Sequence, residues 1–240
     1  MPRLMPRTLL FPLALVATLA CSKGNAAANG APGSSASSAQ KSAGVAAAAA
    51  PAAAPAPDSV TDAADRGRIL GKDTAPLWFV MVSDFQCPYC KAWHDSTYKM
   101  IEKNYVETGK LRMAFINYPL HANSMPASVT AMCAAVQGKF WATHDRIFDT
   151  QNSWKALKDA RPYLDSLAVA SGADAAKLKT CEESKRVLPL IAADQARFQK
   201  AGVGGTPTFY IGNATLVGAL PPADFRRVID SVLAAVPKGK

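Results

Sequence analysis

Apolar positions repeat with two periods along the chain, and the switches between them lay out its elements. Leu77-Trp78-Phe79-Val80-Met81-Val82 is a continuous apolar run between Pro76 and Ser83-Asp84, which predicts a buried strand over 77–83. Cys90, Trp93, Thr97, Met100 and Ile101 then recur at helical spacing, predicting a helix of about 87–107 with Gly109 where it could end. Leu111, Met113, Phe115 and Ile116 predict a second strand within Lys110 to Tyr118, ended by Pro119. Strand, helix, strand is a βαβ unit, whose crossover places both strands parallel in one sheet. Upstream, Arg68-Ile69-Leu70-Gly71 predicts a short edge strand.

From about 122 to 201 the pattern stays helical. Val129, Met132, Cys133 and Val136 make one apolar stripe, and Phe140, His144, Ile147 and Phe148 the next. Leu164, Leu167 and Ala168 mark a third, Leu178 and Cys181 a fourth, and Val187, Leu190, Ile191 and Phe198 a fifth that runs to Gly202. That is too much helix for one crossover, so it predicts a helical subdomain set into an α/β domain. Thr208-Phe209-Tyr210-Ile211 and Thr215-Leu216-Val217 flank the turn residues Gly212-Asn213, which predicts an antiparallel pair. Asp224 to Val236 reads as a last amphipathic helix through Phe225, Val228, Ile229, Val232 and Leu233. The predicted order is β-α-β, helical insert, β-β-α.

Composition changes the picture before residue 59. Arg3 and Arg7, the apolar stretch Leu9 to Leu19 and the small residue Ala20 have the layout of an export signal over 1–20, too short to read as a membrane span. Thr18-Leu19-Ala20-Cys21 resembles a bacterial lipobox, with Thr18 where an aliphatic residue is usual. Cys21 is therefore expected to be acylated; the alternative is ordinary cleavage near Ala20, leaving a free thiol. Residues 22 to 58 are almost wholly Ala, Ser, Gly, Pro, Asn and Gln, without the large apolar side chains that offset the entropy of ordering, and read with Cys21 as a flexible tether. The remaining 59–240 suffice for one domain with a sizeable core. The formal charge of +9 falls to +7 without Arg3 and Arg7, and the basic residues are scattered among acids, which argues against nucleic-acid binding.

The candidate chemistry sits at the strand-to-helix turn, Phe85-Gln86-Cys87-Pro88-Tyr89-Cys90. Unsatisfied backbone N–H groups and the positive end of the helix dipole meet the first sulfur there and favour thiolate, the nucleophile of disulfide exchange. Pro88 suits the first helical turn, where a missing N–H costs nothing. Cys90 falls on the inward stripe with Trp93. The expectation is an exposed, activated Cys87 and a shielded Cys90, a two-step dithiol switch. Cys87, Cys90 and His94 also have the spacing of half a zinc site, but no second Cys-x-x-Cys or paired His motif completes four ligands.

Asp84-Phe85-Gln86-Cys87-Pro88-Tyr89-Cys90, together with Val203-Gly204-Gly205-Thr206-Pro207-Thr208, resembles the DsbA-like branch of the thioredoxin superfamily over roughly residues 66–235. Gln137-Gly138-Lys139-Phe140-Trp141 and His144-Asp145 resemble that branch's helical insert. The resemblance implies an α/β thioredoxin-like fold with a helical insertion subdomain (about 122–201). It makes Thr206-Pro207 the cis peptide bond facing the dithiol and bordering a substrate groove, where the backbone of Thr206 can pair with an extended peptide. The implied activity is that of an exported thiol:disulfide oxidoreductase, an oxidase by preference. Cys87 forms a mixed disulfide with a client and Cys90 resolves it, with no metal or organic cofactor. The implied partners are cysteine-containing exported polypeptides and a membrane redox protein, either a quinone-linked oxidase or an electron donor, with the chain itself a monomer. A reductase or isomerase is the alternative, because Tyr89 and Thr206 resemble the isomerase-side relatives. A chaperone module retaining the fold would not need both cysteines.

Other residues carry weaker expectations. Asp84, Pro88 and Tyr89 surround the dithiol; Asp84 could move protons near Cys90 or simply cap the turn. His94 is expected to face solvent, His144 to be a core histidine with one satisfied partner, and Trp93 and Trp141 to pack. Cys133 and Cys181 lie on apolar stripes within the insert of an exported chain, so a structural disulfide is expected, with two buried free thiols as the alternative.

Overall fold

The structure, a computed structural model, describes residues 59–236; the expected signal over 1–20, Cys21 and the tether to 58 lie outside the described residues. Its sheet has five strands in the order β1-β3-β2-β4-β5: β1 (Ile69–Leu70), β2 (Leu77–Ser83), β3 (Leu111–Asn117), β4 (Thr208–Ile211) and β5 (Ala214–Val217). β2 and β3 run parallel with Leu77 beside Leu111 and Ser83 beside Asn117, as the βαβ reading requires. β1 pairs antiparallel at the β3 edge, and β4 antiparallel to β2 on the other side. The β4–β5 turn opens with Gly212 at φ +58°, the positive φ that a type II′ hairpin turn demands at its first position.

The crossover is α2 (Pro88–Trp93), which runs on through a π-helical turn (His94–Tyr98), α3 (Lys99–Ile101) and a second π-helical turn (Glu102–Val106). The sequence predicted one helix here; the chain keeps one helix but widens it twice. A helix not anticipated, α1 (Ser59–Gly67), precedes the sheet. Its close approach to the insert depends on Gly67, where a Cβ would collide with the Ala135 carbonyl. Arg68, buried just beyond it, pairs with the buried Asp194 and with Asp65.

The insert holds α4 (Ser124–Ala135), α5 (Phe140–Asp149), α6 (Gln151–Trp154), α7 (Arg161–Ala170), α8 (Ala175–Ser184) and α9 (Leu188–Lys200). The five predicted stripes are five of these helices; the short α6 had no stripe to show. α4 is buried on nearly every side, packed among α1, α5, α7 and α8. Cys133 on α4 is bonded to Cys181 on α8, with their Cα atoms 5.7 Å apart. The last helix, α10 (Pro222–Ala235), covers the sheet with Phe225 and Ile229. Two groups of aromatic rings, bridged by Tyr98, pack in the core near the dithiol turn. Phe79, Trp93, Phe209 and Phe225 interlock on one side, Trp93 to Phe209 at 4.8 Å between centroids. Phe85, Phe115, Phe140, His144 and Phe148 do so on the other, Phe85 to Phe115 at 4.7 Å. No helix among the described residues is long and apolar enough to cross a membrane.

Candidate active site

β2 delivers the chain to the turn, and Asp84 fixes how it leaves. The Asp84 carboxylate is buried and accepts from the backbone N–H of Gln86 at 2.7 Å, the N–H of Leu120 at 2.8 Å and the Ser124 hydroxyl. His121 Nδ1 lies 2.7 Å from its second oxygen. These bonds cap the turn, with both oxygens facing it and the start of the insert. The Asp84 carbonyl in turn accepts from the Cys87 N–H at 3.1 Å.

Cys87 is the N-cap of α2, extended at φ −67° and ψ 126°, with Pro88 in the first helical position. The Lys91 N–H closes the first helical turn on the Cys87 carbonyl at 3.1 Å. The sulfurs differ less in exposure than expected. Cys90 is 1% exposed on the inward stripe beside Trp93, but Cys87 is also buried, at 4%, while Tyr89 between them stands 65% exposed. The cover on Cys87 comes from a loop 119 residues away. The Thr206-Pro207 bond is cis, and the Cys87 thiol donates to the Thr206 carbonyl at 3.3 Å.

Where the two sulfurs differ is in proton affinity. A hydrogen bond from the Cys90 thiol, with further ones from the Thr206 side chain and the N–H groups of Cys90 and Tyr89, brings the Cys87 pKa down to about 6 against the opposing effect of burial. Burial pushes the Cys90 thiol well up, and the neighbouring Cys87 sulfur adds to it. One sulfur is thereby a thiolate at neutral pH and the other a thiol.

The insert and the turn are joined by polar side chains to which the sequence assigned no role, Gln151 and Asn123 on the one and Gln86 on the other. Gln151 on α6, itself buried, donates from Nε2 to the carbonyls of Phe85 at 2.8 Å and Cys87 at 3.0 Å. Gln86 donates to the Lys155 carbonyl and accepts from the Asn123 N–H, each at 2.7 Å. Asn123 donates in turn to the carbonyls of Lys155 and Leu157. These partners are 32 to 69 residues apart in the chain, beyond the reach of any periodicity.

His94 is a correction: it is buried rather than solvent-facing. It lies in the first π-helical turn and stacks on Tyr98 and Phe148, with Nε2 3.4 Å from Asp145 and Nδ1 3.4 Å from Asp95. Among the described residues, the groups with ligand atoms near enough for a cation are His94–His144–Asp145 and His94–Asp95–Asp149, and Lys99 already holds Asp145 at 2.6 Å. His144 is fully buried with Nδ1 2.9 Å from Asp145 and Nε2 unpartnered, the core histidine expected. Trp93 packs in the core and Trp141 against it.

A family model described as thioredoxin matches residues 63–231. The probable disulfide bond formation protein D of Bacillus anthracis is 28% identical over 179 residues, which span 70% of this chain and 76% of that protein. Disulfide bond formation protein D of Bacillus subtilis is 24% identical over 178 residues, 72% of this chain and 78% of that protein. Among solved structures, Wolbachia pipientis alpha-DsbA1 superposes with a TM-score of 0.64 at 22% identity, covering 70% of this chain and 92% of that one. Oxidised BdbD from Bacillus subtilis does so with 0.64 at 23%, covering 70% and 94%. A dithiol at the N-terminus of the first crossover helix, a cis proline beside it and a family match across most of its length place this chain in the thioredoxin family.

Proposed function

We propose that this thiol:disulfide oxidoreductase works outside the cytoplasm as an oxidase, passing a Cys87–Cys90 disulfide to cysteine-containing exported polypeptides and regaining it from a membrane redox partner. The observation that carries the reading is the opposed proton affinity of the two sulfurs, Cys87 down to about 6 and Cys90 well up. A thiolate stabilised in the reduced state makes the corresponding disulfide a stronger oxidant.

The steps follow from that asymmetry. A client thiolate attacks the Cys87 sulfur, the Cys87–Cys90 bond breaks, and Cys90 leaves with the electron pair and takes up a proton, as its raised proton affinity favours. A second client thiolate then attacks the client sulfur of the mixed disulfide. Cys87 departs as a stabilised thiolate, the client has lost two electrons, and the enzyme holds them as a dithiol. The membrane partner's disulfide takes them by the same chemistry in reverse, with Cys90 attacking the Cys87–partner bond. Thr206 and Pro207 border the groove in which an extended client lies, its backbone beside that of Thr206. The basic, small-residue N-terminus supports export, with Cys21 acylated and residues 22–58 as the tether to the membrane surface.

Equilibrating the full chain with glutathione tests the direction. The expected potential lies in the oxidising range, about −180 to −120 mV. A value near that of thioredoxin, about −270 mV, would assign the reductase reading instead.

A further inference from the structure

Beside the Cys90 thiol, the N–H groups of Tyr89 and Cys90 add to the stabilisation of the Cys87 thiolate, and they face the sulfur only while the Cys87 backbone keeps its extended geometry at the start of α2. ψ at Cys87 sets the direction of the peptide that follows, and with it whether the Tyr89 and Cys90 N–H groups face the sulfur. Four bonds hold that backbone. Two are local: the Cys87 N–H to Asp84 and the Lys91 N–H to the Cys87 carbonyl. The other two come from the helical insert. Gln151 Nε2 carries two hydrogens and places one on the Phe85 carbonyl at 2.8 Å and the other on the Cys87 carbonyl at 3.0 Å. One nitrogen joined to two carbonyls two residues apart closes a ring across Gln86, so the φ and ψ angles of Gln86 and Cys87 cannot drift independently.

We propose that Gln151 is a positioning residue for the reaction, its amide locking the Cys87 backbone so that the helix N–H groups stay aimed at the sulfur. The placement of Gln151 is itself built. It opens the short α6, whose other end is fixed by the fully buried Trp154 donating from Nε1 to the Ile147 carbonyl at 2.8 Å. The side chain is 1% exposed, so water does not compete for its two hydrogens. Both carbonyls would otherwise lose a buried partner, and that alone lowers stability; the proposal is that the loss also reaches the sulfur. The insert then has a chemical task besides covering the sheet.

This inference rests on Cys87 being the attacking thiol, so the test reads that assignment separately. In the reduced full chain, Gln151→Met keeps length and burial but removes both donors. Ultraviolet thiolate absorbance against pH is expected to show the Cys87 midpoint moving up by about one unit from about 6, and alkylation near pH 5 slowing about tenfold. The equilibrium with glutathione at pH 7 should shift about fivefold toward the disulfide form. A purely structural glutamine would lower the melting temperature and leave all three unchanged, and that result overturns the proposal. Mapping the alkylated residue separates the two readings: Cys90 labelled first overturns the sulfur assignment, whereas Cys87 labelled first at the wild-type rate overturns only the role of Gln151. If the variant does not fold, the wild-type side-chain amide signals of Gln151 decide. Slow hydrogen exchange with a shift between reduced and oxidised protein supports the lock, and exchange like that of a free amide, or no response to redox state, removes it.

Discussion

Cys87 and Cys90 sit three residues apart and meet opposite fields, because one caps a helix and the other is sealed inside it. Cys90→Ser should therefore accumulate mixed disulfides with clients while Cys87→Ser forms none, read on non-reducing gels after acid quenching; equal trapping by both variants would contradict the assigned roles. Alkylation of the wild-type reduced protein should follow a single midpoint near pH 6 at Cys87. Its sign is that of a depressed acid. The thiolate's contribution to the reduced fold is fully present above the unfolded thiol pKa and is lost as the pH falls through 6. Asp84 supports the same turn differently, by accepting from two N–H groups and a hydroxyl while holding His121. Asp84→Ala orphans those donors at once, and each buried unsatisfied group costs about 1–3 kcal/mol. A loss of at least about 3 kcal/mol in urea unfolding is expected, and a loss below 1 kcal/mol would show that water or a shifted loop replaces the carboxylate. The dithiol was legible in the sequence because its chemistry is local: two cysteines, a proline and a helix start within four positions. The cover on Cys87 was not, since Thr206 reaches it across 119 residues and periodicity reports only which face of a helix is apolar.

Among the elements, those with a full apolar stripe or run were readable and those without were missed. β2, β3 and the hairpin β4–β5 bury continuous or alternating apolar positions, and so announced themselves. α1 contributes only Val60 and Ala64 to the core, and α6 is a single turn held by Gln151 and Trp154, so neither offers a period to count. The π-helical turns have no sequence signature of their own, and the first places His94 against α5 where a regular helical wheel turned it to solvent. Between α4 and α8 the disulfide closes a loop with a sequence separation of 48. Chain entropy then predicts that replacing Cys133 and Cys181 together by Ser lowers stability by about 4 kcal/mol, an upper value since reduced chains retain structure. Chemical unfolding of the double variant, with Cys87 and Cys90 kept reduced, measures it. A loss under 1 kcal/mol would mean that packing around the buried α4 holds the insert without the bridge.

At the scale of the whole molecule, the parallel β2–β3 pair, the β4–β5 hairpin and the edge position of β1 were readable from element order, whereas the pairing of β4 with β2 was not. What element order cannot show is how the insert and the thioredoxin-like sheet are stitched together. The stitching is polar and long-range at the turn, through Gln151, Asn123, Ser124 and His121, and aromatic beneath it, where His144 lies among Phe85, Phe115, Phe140 and Phe148. That buried imidazole makes the joint sensitive to acid. Burial brings the His144 pKa down from 6.5 to about 4, opposed by Asp145 and assisted by the nearby His94 and Lys99. The unfolded chain therefore binds a proton at His144 that the native chain refuses, and stability rises with pH between these two values. Its contribution is complete above 6.5 and is lost as the pH falls to about 4, at most about 3 kcal/mol. Asp145, held well below the usual carboxylate range chiefly by its bond to His144 against the cost of burial, adds a loss of the same sign only at lower pH. The carboxyls of Glu182 and Asp194 are pushed up by burial and act in the opposite sense, gaining stability on acidification. The His144 share is therefore isolated by comparison. Urea unfolding of wild type and His144→Phe between pH 7 and 5 should give a falling curve for the first and a flatter one for the second. Parallel curves would mean that the imidazole accepts its proton without leaving the core.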